Sequence, residues 1–300
     1  MKYLFLSLMV YITSYATIIY NGDINGSKVS LFLDDREGVY IYNKYKVPIP
    51  LEIEKDKEKL ILKSNDEIFY FENYDKKKDK IRGKWKKGDK ELLVNLEKRL
   101  DTNFSLGIDK IIEIPMFRST KNEYFWVKIS KDEKNRWSRT FVDEILIYDK
   151  KTKKILQKID TKDEEFNTFI GIKSLDIGDY NFDGVIDFSM FGSFFTGPNT
   201  ISNYFLKNKK NGKYELAESY SDTSLSFDEK EKKVYSESSS GAGQYRDTVT
   251  FIVEGNILIP IEKSSLEISD DGEIEVIISY ALDARGEWIE TKRTTNHFKD

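Results

Sequence analysis

The chain has no cysteine and a single histidine, His297, among its 300 residues. Without cysteine it can form no disulfide, carry no lipid on a cysteine and use no thiol nucleophile. One histidine close to the end of the chain excludes Ser-His-Asp and Cys-His catalysis and zinc sites built from histidine. What remains is a pair of carboxylates of the glycosidase type, and no acidic residue lies in a recognisable catalytic signature. We therefore expect a protein that is not an enzyme.

Long apolar runs are also missing, apart from a short one at the start of the chain. Met1 and Lys2 precede an apolar run over residues 3–12, and Ser14 and Ala16 fit a small-x-small cleavage site. We expect residues 1–16 to be a secretory signal, so that the mature protein is periplasmic or secreted and has no membrane span. A buried first strand and an uncleaved anchor are the alternatives.

Net charge is small: the chain carries −4 at neutral pH. Loss of residues 1–16, in which Lys2 is the charged residue, changes this to −5. Nucleic acid is not expected as a partner, because phosphate binding requires a net basic face.

Short stretches of alternating apolar and polar residues, separated by Gly, Asn and Asp, recur through most of the chain and predict an all-β fold. Residues 17–100 are predicted to form an antiparallel β-meander module. Residues 101–115 are weakly patterned and mark a seam, so that a second domain covers residues 101–300. Its strand spacing is typical of a sandwich, barrel or propeller. Helical patterning is limited to residues 91–99.

The most specific pattern lies in residues 179–187, which read as a calcium loop. Oxygen-bearing side chains occupy loop positions 1, 3, 5 and 9, and Gly184 stands at position 6, where such loops turn sharply. Carboxylates and amides suit a hard cation, and the loop offers no nitrogen or sulfur ligand of the kind that softer metals prefer. The ligands predicted for Ca²⁺ are Asp179, Asn181, Asp183, Asp187 and the backbone carbonyl of Val185.

The loop differs from an EF-hand in its twelfth position and in its flanks. Met190 replaces the bidentate glutamate, and residues 169–172 and 188–191 look like buried strands instead of helices. We therefore predict a strand-loop-strand site, with Asp176 as a further candidate ligand. The alternative is an ordinary acidic turn, since Asp, Asn and Gly are common in turns.

Several elements around the loop resemble, in order, a family of exported calcium-binding β-propeller-like proteins. Characterised members are periplasmic immunity proteins that block peptidoglycan hydrolases. The resemblance covers residues 115–262 and is carried by the loop, by residues 194–199 and by a set of looser matches at 147–152, 157, 204–206, 211–214, 227–228, 234–236 and 241–245. It implies a second domain with degenerate propeller blades, the same five ion ligands, and a cell-wall hydrolase as protein partner.

Two further resemblances concern inhibitors of lysozyme. Residues 38–42, 49–51 and 83–85 resemble a β module at the front of secreted proteins of the lysozyme-inhibitor kind. Residues 240–245 resemble the Ser-Gly-x-x-Tyr loop of small lysozyme inhibitors, with the tyrosine one position further along. Partner contacts implied by these likenesses are Ser240, Gly241, Tyr245, Pro198 and Asn199. The alternatives are a glycine-bearing turn at 240–245 and core packing at 194–198.

Taken together, the sequence predicts an exported calcium-binding protein that inhibits a peptidoglycan hydrolase. A glycan-binding or adhesive module of the cell envelope is the second hypothesis, and a carboxylate glycosidase is the third.

Overall fold

A computed structural model gives the fold of residues 17–56, 58–102, 110–131, 140–162, 167–195, 198–269 and 271–298. The predicted signal, 1–16, and positions 103–109 of the predicted seam lie outside the described residues. The described chain forms two compact units. The first comprises residues within Met1–Gly107 and Ile170–Ile172, and the second comprises residues within Ile108–Phe169 and Lys173–Asp300.

The first unit is a closed barrel of eight antiparallel strands in chain order, in which the last strand returns to pair with the first. Its strands are β1 (Ile18–Ile24), β2 (Ser27–Leu33), β3 (Glu37–Tyr42), β4 (Ile49–Asp56), β5 (Lys59–Lys63), β6 (Glu67–Phe71), β7 (Lys80–Lys87) and β8 (Lys90–Asp101). Asn25 and Gly26 join β1 to β2 with positive φ angles of 46° and 88°, as a two-residue type I′ hairpin requires. The predicted meander is present, and it closes on itself.

Side chains fill the barrel, because an eight-stranded barrel has an interior just wide enough for them. Tyr40 and Phe69 meet edge to face, with 5.0 Å between ring centroids. The buried carboxylate of Glu67 accepts hydrogen bonds from the Tyr40 hydroxyl, from Trp85 Nε1 at 3.2 Å and from Lys87 Nζ at 3.1 Å. The acid is thus tolerated inside the barrel because its oxygens are paired.

The prediction of helical structure over residues 91–99 is wrong, since these residues belong to β8. Val94 and Leu96 are buried in the barrel core, whereas Leu93 and Asn95, which alternate with them, are exposed. Pairing with both β7 and β1 buries every second residue. The free energy gained by this pairing and burial outweighs the helix propensity of the Leu, Glu and Lys residues.

Asp34 in the first unit is a partly buried acid with two hydrogen-bond donors. Thr17 Oγ1 donates to its Oδ1 at 2.6 Å, and the Ile172 N–H donates to its Oδ2 at 2.9 Å. Burial raises the pKa of Asp34 to about 7, although both hydrogen bonds act in the opposite direction. A Cβ at Gly171 would lie 2.3 Å from Asp34 Oδ2, so glycine is needed there.

The expected strand over residues 169–172 is absent. Phe169 and Ile172 are buried, but Gly171 has a φ of +109°, which interrupts extended backbone. The strand that precedes the predicted calcium loop begins at Leu175.

The second unit contains three antiparallel sheets, in each of which consecutive strands are neighbours. The first sheet has β9 (Ile112–Ser119), β10 (Glu123–Lys131), β11 (Thr140–Asp149) and β12 (Ile155–Asp160). The second has β13 (Leu175–Gly178), β14 (Asp187–Phe194), β15 (Thr200–Lys207) and β16 (Tyr214–Leu216). The third has β17 (Ser226–Asp228), β18 (Lys233–Ser240), β19 (Tyr245–Glu254), β20 (Ile257–Ile268), β21 (Ile274–Leu282) and β22 (Trp288–His297).

Aromatic packing and one side-chain amide connect the first two of these sheets. The Phe188 ring on β14 packs at 5.2 Å from Phe125 on β10 and at 4.9 Å from Tyr214 on β16, measured between centroids. Gln157 on β12 donates from Nε2 to the Tyr214 carbonyl at 2.8 Å, and its Oε1 accepts the Tyr214 N–H at 2.9 Å. One glutamine side chain therefore bonds both backbone groups of a residue in the neighbouring sheet.

Helical structure among the described residues is limited to two 3₁₀ turns, Glu218–Tyr220 and Gly241–Gly243. Nowhere in that part of the chain is there a helix with the length and apolar character needed to cross a bilayer. The prediction of an all-β fold is confirmed.

Candidate functional site

The predicted calcium loop connects β13 to β14, which pair as an antiparallel hairpin closed by Gly178 opposite Asp187. Residues 188–191 lie in β14, as expected for a strand-loop-strand arrangement. Gly184, at loop position 6, has a φ of +85°, and Phe182 has a φ of +57°. Glycine adopts this left-handed conformation without the penalty that a Cβ brings, which explains the residue type at the sharpest point of the turn.

The three aspartates of the loop are turned toward the loop's own backbone. Asp179 accepts the Asp183 N–H on Oδ1 at 2.9 Å and the Gly184 N–H on Oδ2 at 2.7 Å. Asp183 Oδ1 accepts the Val185 N–H at 2.8 Å. Asp187 Oδ2 accepts the Tyr180 N–H at 3.0 Å. The carboxylates thus hold the turn closed and face its interior.

Asp187 is the most buried of the three, with no exposed surface. Its Oδ1 accepts the Lys207 N–H from β15 at 2.7 Å. Burial raises the pKa of Asp187 to about 6, and the negative charges of Asp183 and Asp179 raise it further, while its two backbone hydrogen bonds act to lower it. Negative charge therefore accumulates in this loop at a cost that a cation would reduce.

Two other side chains tie the loop to its surroundings. Asn181, which is buried, donates from Nδ2 to Asn256 Oδ1 at 2.9 Å, in the turn between β19 and β20. Lys209 Nζ lies 2.5 Å from the Asp183 carbonyl oxygen and 3.4 Å from Asp183 Oδ2. Asp176, the additional candidate ligand, forms an ion pair with Arg118 at 3.2 Å.

The donor set fits a hard cation in its chemistry. Both oxygens of Asp179 and of Asp187, and Oδ1 of Asp183, each accept one backbone N–H and keep a second lone pair, so the hydrogen bonds of the turn and coordination are compatible. Within the residues that the structure describes, no three His, Cys, Asp or Glu side chains form a group that could hold a metal ion. Asp179, Asp183 and Asp187, three of the five predicted ligands, therefore form no such group in this structure, and the other two predicted ligands are the Asn181 amide and the Val185 carbonyl.

The predicted partner contacts Pro198 and Asn199 lie at the turn between β14 and β15. Phe194 and Phe195 precede them and are 47% and 42% exposed, so they are not core residues. Asn199 donates from Nδ2 to the Ser239 carbonyl at 2.8 Å and accepts the Ser239 N–H on Oδ1 at 2.8 Å. This pair of bonds joins the turn to the end of β18.

The second group of predicted contacts begins at the residue after Ser239. Ser240 pairs with Tyr245 across the end of the β18–β19 hairpin, and Gly241–Gly243 form the turn between them with φ angles of 59°, 54° and 96°. Tyr245 is 50% exposed. A Cβ at Gly241 would lie 2.8 Å from the Tyr245 ring, so glycine lets the ring lie against the turn.

The structure therefore brings the five predicted partner contacts, Pro198, Asn199, Ser240, Gly241 and Tyr245, to one region of the second unit. Together with Phe194 and Phe195 we call this region the aromatic end. The sequence pattern did not reveal the bond pair between Asn199 and Ser239, because it joins residues 40 positions apart. His297 is the last residue of β22, opposite Ile274.

Comparisons with known proteins give distant likenesses. No protein-family model and no curated protein matches the chain. The chain is similar to a solved Xanthomonas type IV secretion system related protein, with a TM-score of 0.37, 11% identity, and coverage of 81% of this chain and 98% of the other. It is also similar to the WD40 domain of SCAP from fission yeast, with a TM-score of 0.21, 11% identity, and coverage of 94% and 88%. Similarities this weak do not support the assignment of a fold or an activity to this chain.

Proposed function

We propose that the protein is an exported, calcium-stabilised β protein that binds a cell-wall hydrolase through the aromatic end and blocks its substrate cleft. The bond pair between Asn199 and Ser239 carries this proposal, because it holds two separately predicted contact segments side by side. The finer fold assignment belongs to the same proposal: the three meander sheets of the second unit are blades of a degenerate, propeller-like domain.

The loop over residues 179–187 supports the calcium part of the proposal. Its oxygens are hard donors, its aspartates face the same turn, and Asp187 is a buried acid close to two others. A bound calcium ion would neutralise this charge. Asp187 and Asn181 would carry the effect into the core, since their partners lie on β15 and in the β19–β20 turn. The ion's role is thus structural.

The aromatic end has the composition of a contact surface that fills a groove. Exposed aromatic side chains supply apolar area at a small cost in conformational entropy, and serine and glycine leave backbone groups open to hydrogen bonding. A hydrolase cleft that binds sugars presents polar groups and aromatic rings, to which a tyrosine with flanking serines is complementary. We therefore assign Tyr245 as the residue that enters the cleft.

Inhibition assays with purified lysozyme-like hydrolases acting on peptidoglycan test this assignment. The wild-type protein should reduce the activity of at least one enzyme and form a complex with it. Tyr245→Ala should weaken the complex by about thirtyfold, the effect of losing a hot-spot side chain. Tyr45→Ala removes a tyrosine of similar exposure, 49%, from a turn of the barrel, and should leave inhibition unchanged.

Absence of inhibition and of complex formation across the panel would overturn the hydrolase assignment. Binding to peptidoglycan fragments themselves, lost on chelation, would support the glycan-binding alternative instead. Release of sugar products from wall material, abolished by neutralising a single acid, would indicate a glycosidase.

A further inference from the structure

A polar cleft lies on the outside of the barrel, across four neighbouring strands in the order β7, β8, β1 and β2. Strand register aligns two rows of facing residues on these strands. One row is Arg82, Asn95, Asp23 and Lys28. The other is Lys80, Glu97 and Asn21. Both rows face outward, because Ile81, Leu96 and Val29, which alternate with them, belong to the barrel core. The cleft over these rows has a volume of about 450 Å³, and we call it the barrel cleft.

Charge in the barrel cleft is only partly balanced. Lys80 and Glu97 neutralise each other at 2.6 Å. Asp23 accepts the Gly26 N–H at 2.9 Å. Arg82 and Lys28 form no ion pair with any described residue. Asp23 lies opposite Lys28 in the register of β1 and β2, so the Arg82 guanidinium is the positive group that the cleft offers to a ligand with negative charge.

Amide side chains form the rest of the polar lining. The Ser30 hydroxyl lies 2.9 Å from Asn21 Oδ1 and 3.0 Å from Asn43 Oδ1, and its single proton can be donated to one of these oxygens, which leaves the nitrogen of that amide for another acceptor. Asn95 sits between Arg82 and Asp23 in its row. An amide both donates and accepts hydrogen bonds, as does a sugar hydroxyl, so a row of amides suits a polyhydroxylated ligand.

We propose that the barrel cleft binds an acidic oligosaccharide, with a sugar carboxylate on Arg82 and sugar hydroxyls on Asn21, Asn43 and Asn95. A carboxylate matches the planar guanidinium through two parallel hydrogen bonds. The residues that line the cleft include no aromatic ring, which disfavours a nucleotide, since bases are held by stacking. This site lies in the first unit, and the proposal is independent of the aromatic end.

Titration calorimetry with the full chain, in buffer without added divalent ions, tests the proposal. The probes are tetragalacturonate, its methyl ester and tripolyphosphate. Tetragalacturonate should bind saturably, and the methyl ester, whose carboxylates are masked, should bind at least about tenfold more weakly. Arg82→Gln should reduce the affinity for tetragalacturonate to that for the ester. Asn95→Ala should weaken the binding of both sugars.

The matched control is Arg36→Gln, which removes an exposed arginine from the β2–β3 turn of the same barrel and should leave every affinity unchanged. The replaced side chains are exposed, so circular dichroism should show all three variants folded. No saturable heat with tetragalacturonate, or wild-type affinity in Arg82→Gln, would overturn the proposal. Tripolyphosphate binding as tightly as tetragalacturonate, and competing with it, would show that charge alone is recognised and would overturn the sugar assignment.

Discussion

Replacing Asp183 by asparagine separates the two roles of this side chain in the loop. Asp183 Oδ1 accepts the Val185 N–H at 2.8 Å, a bond worth about 1 kcal/mol that the asparagine oxygen can retain. The substitution removes the negative charge and hence an ion ligand. It also removes charge repulsion toward Asp187 and the ion pair with Lys209, two effects of opposite sign, so stability without calcium should change little. Only the calcium-dependent part of the stability is expected to disappear.

The size of that part follows from linkage. Sites in exported proteins bind calcium with dissociation constants of about 10⁻⁴ to 10⁻³ M. With a dissociation constant of about 10⁻⁴ M, a calcium concentration of 10 mM is about a hundred times the dissociation constant and stabilises the folded state by about 2.7 kcal/mol. For a unit of this size, that raises the melting temperature by about 5 to 10 °C. If Asp183→Asn weakens binding about a hundredfold, about 0.4 kcal/mol remains, or about 1 °C.

Differential scanning calorimetry in 10 mM calcium and in chelator measures both quantities. The control is Asp228→Asn, because Asp228 also holds a turn, the one between β17 and β18, by accepting the Lys230 N–H at 2.9 Å and the Glu231 N–H at 3.0 Å. Its effect on the melting temperature should be the same in both buffers. The reasoning fails if calcium does not raise the wild-type melting temperature, or if Asp183→Asn keeps the full rise.

Three other predictions concern the backbone, the aromatic end and pH. Gly184→Ala places a Cβ at a φ of +85° and should destabilise the second unit by about 1 to 2 kcal/mol, with or without calcium. Denaturant titrations measure this loss, and a variant as stable as the wild type would contradict the prediction. Asn199→Ala removes two hydrogen bonds and should lower the local free energy of opening by about 1 to 3 kcal/mol. The Ser239 amide should then exchange its hydrogen faster, while calcium affinity stays the same. Unchanged exchange would show that the bond pair is not formed in solution. The pKa of Asp34 is raised from 3.8 to about 7, so between these pH values the folded state binds more protons than the unfolded state. The free energy of unfolding of the wild type should therefore fall as pH rises from about 4 to 7, by up to about 4 kcal/mol. Asp34→Asn should flatten that slope in unfolding measurements across this range, and an unaltered slope would assign it to other groups.

Features that depend on near neighbours in sequence could be predicted, and features that depend on distant pairings could not. Period-two alternation identified the strands because each buries one face. The loop over residues 179–187 was found because its ligand pattern is local, and it lies between two paired strands. Barrel closure depends on β1 meeting β8, where Ile18 faces Asp101, and nothing in either strand specifies the other.

The same distinction explains the two wrong assignments. Residues 91–99 have residues with high helix propensity, but pairing on both sides makes them a strand. Residues 169–172 are apolar like a buried strand, and the positive φ of Gly171 sends the chain in another direction. The predicted partner contacts are connected through Asn199 and Ser239, and an asparagine after a proline in a turn does not reveal which distant backbone it will bond.

The last strand of the chain has a protective role that follows from its position. β22 pairs with β21 on one side, and no described strand pairs with its other side. Its exposed residues include Glu290, Lys292 and Arg293, charges that discourage another chain from extending the sheet. β21 is rich in Ile and Val and carries one charged residue, Glu275. A chain that ends before Trp288 would present this apolar strand as an open edge, and aggregation through intermolecular sheet growth is the expected result.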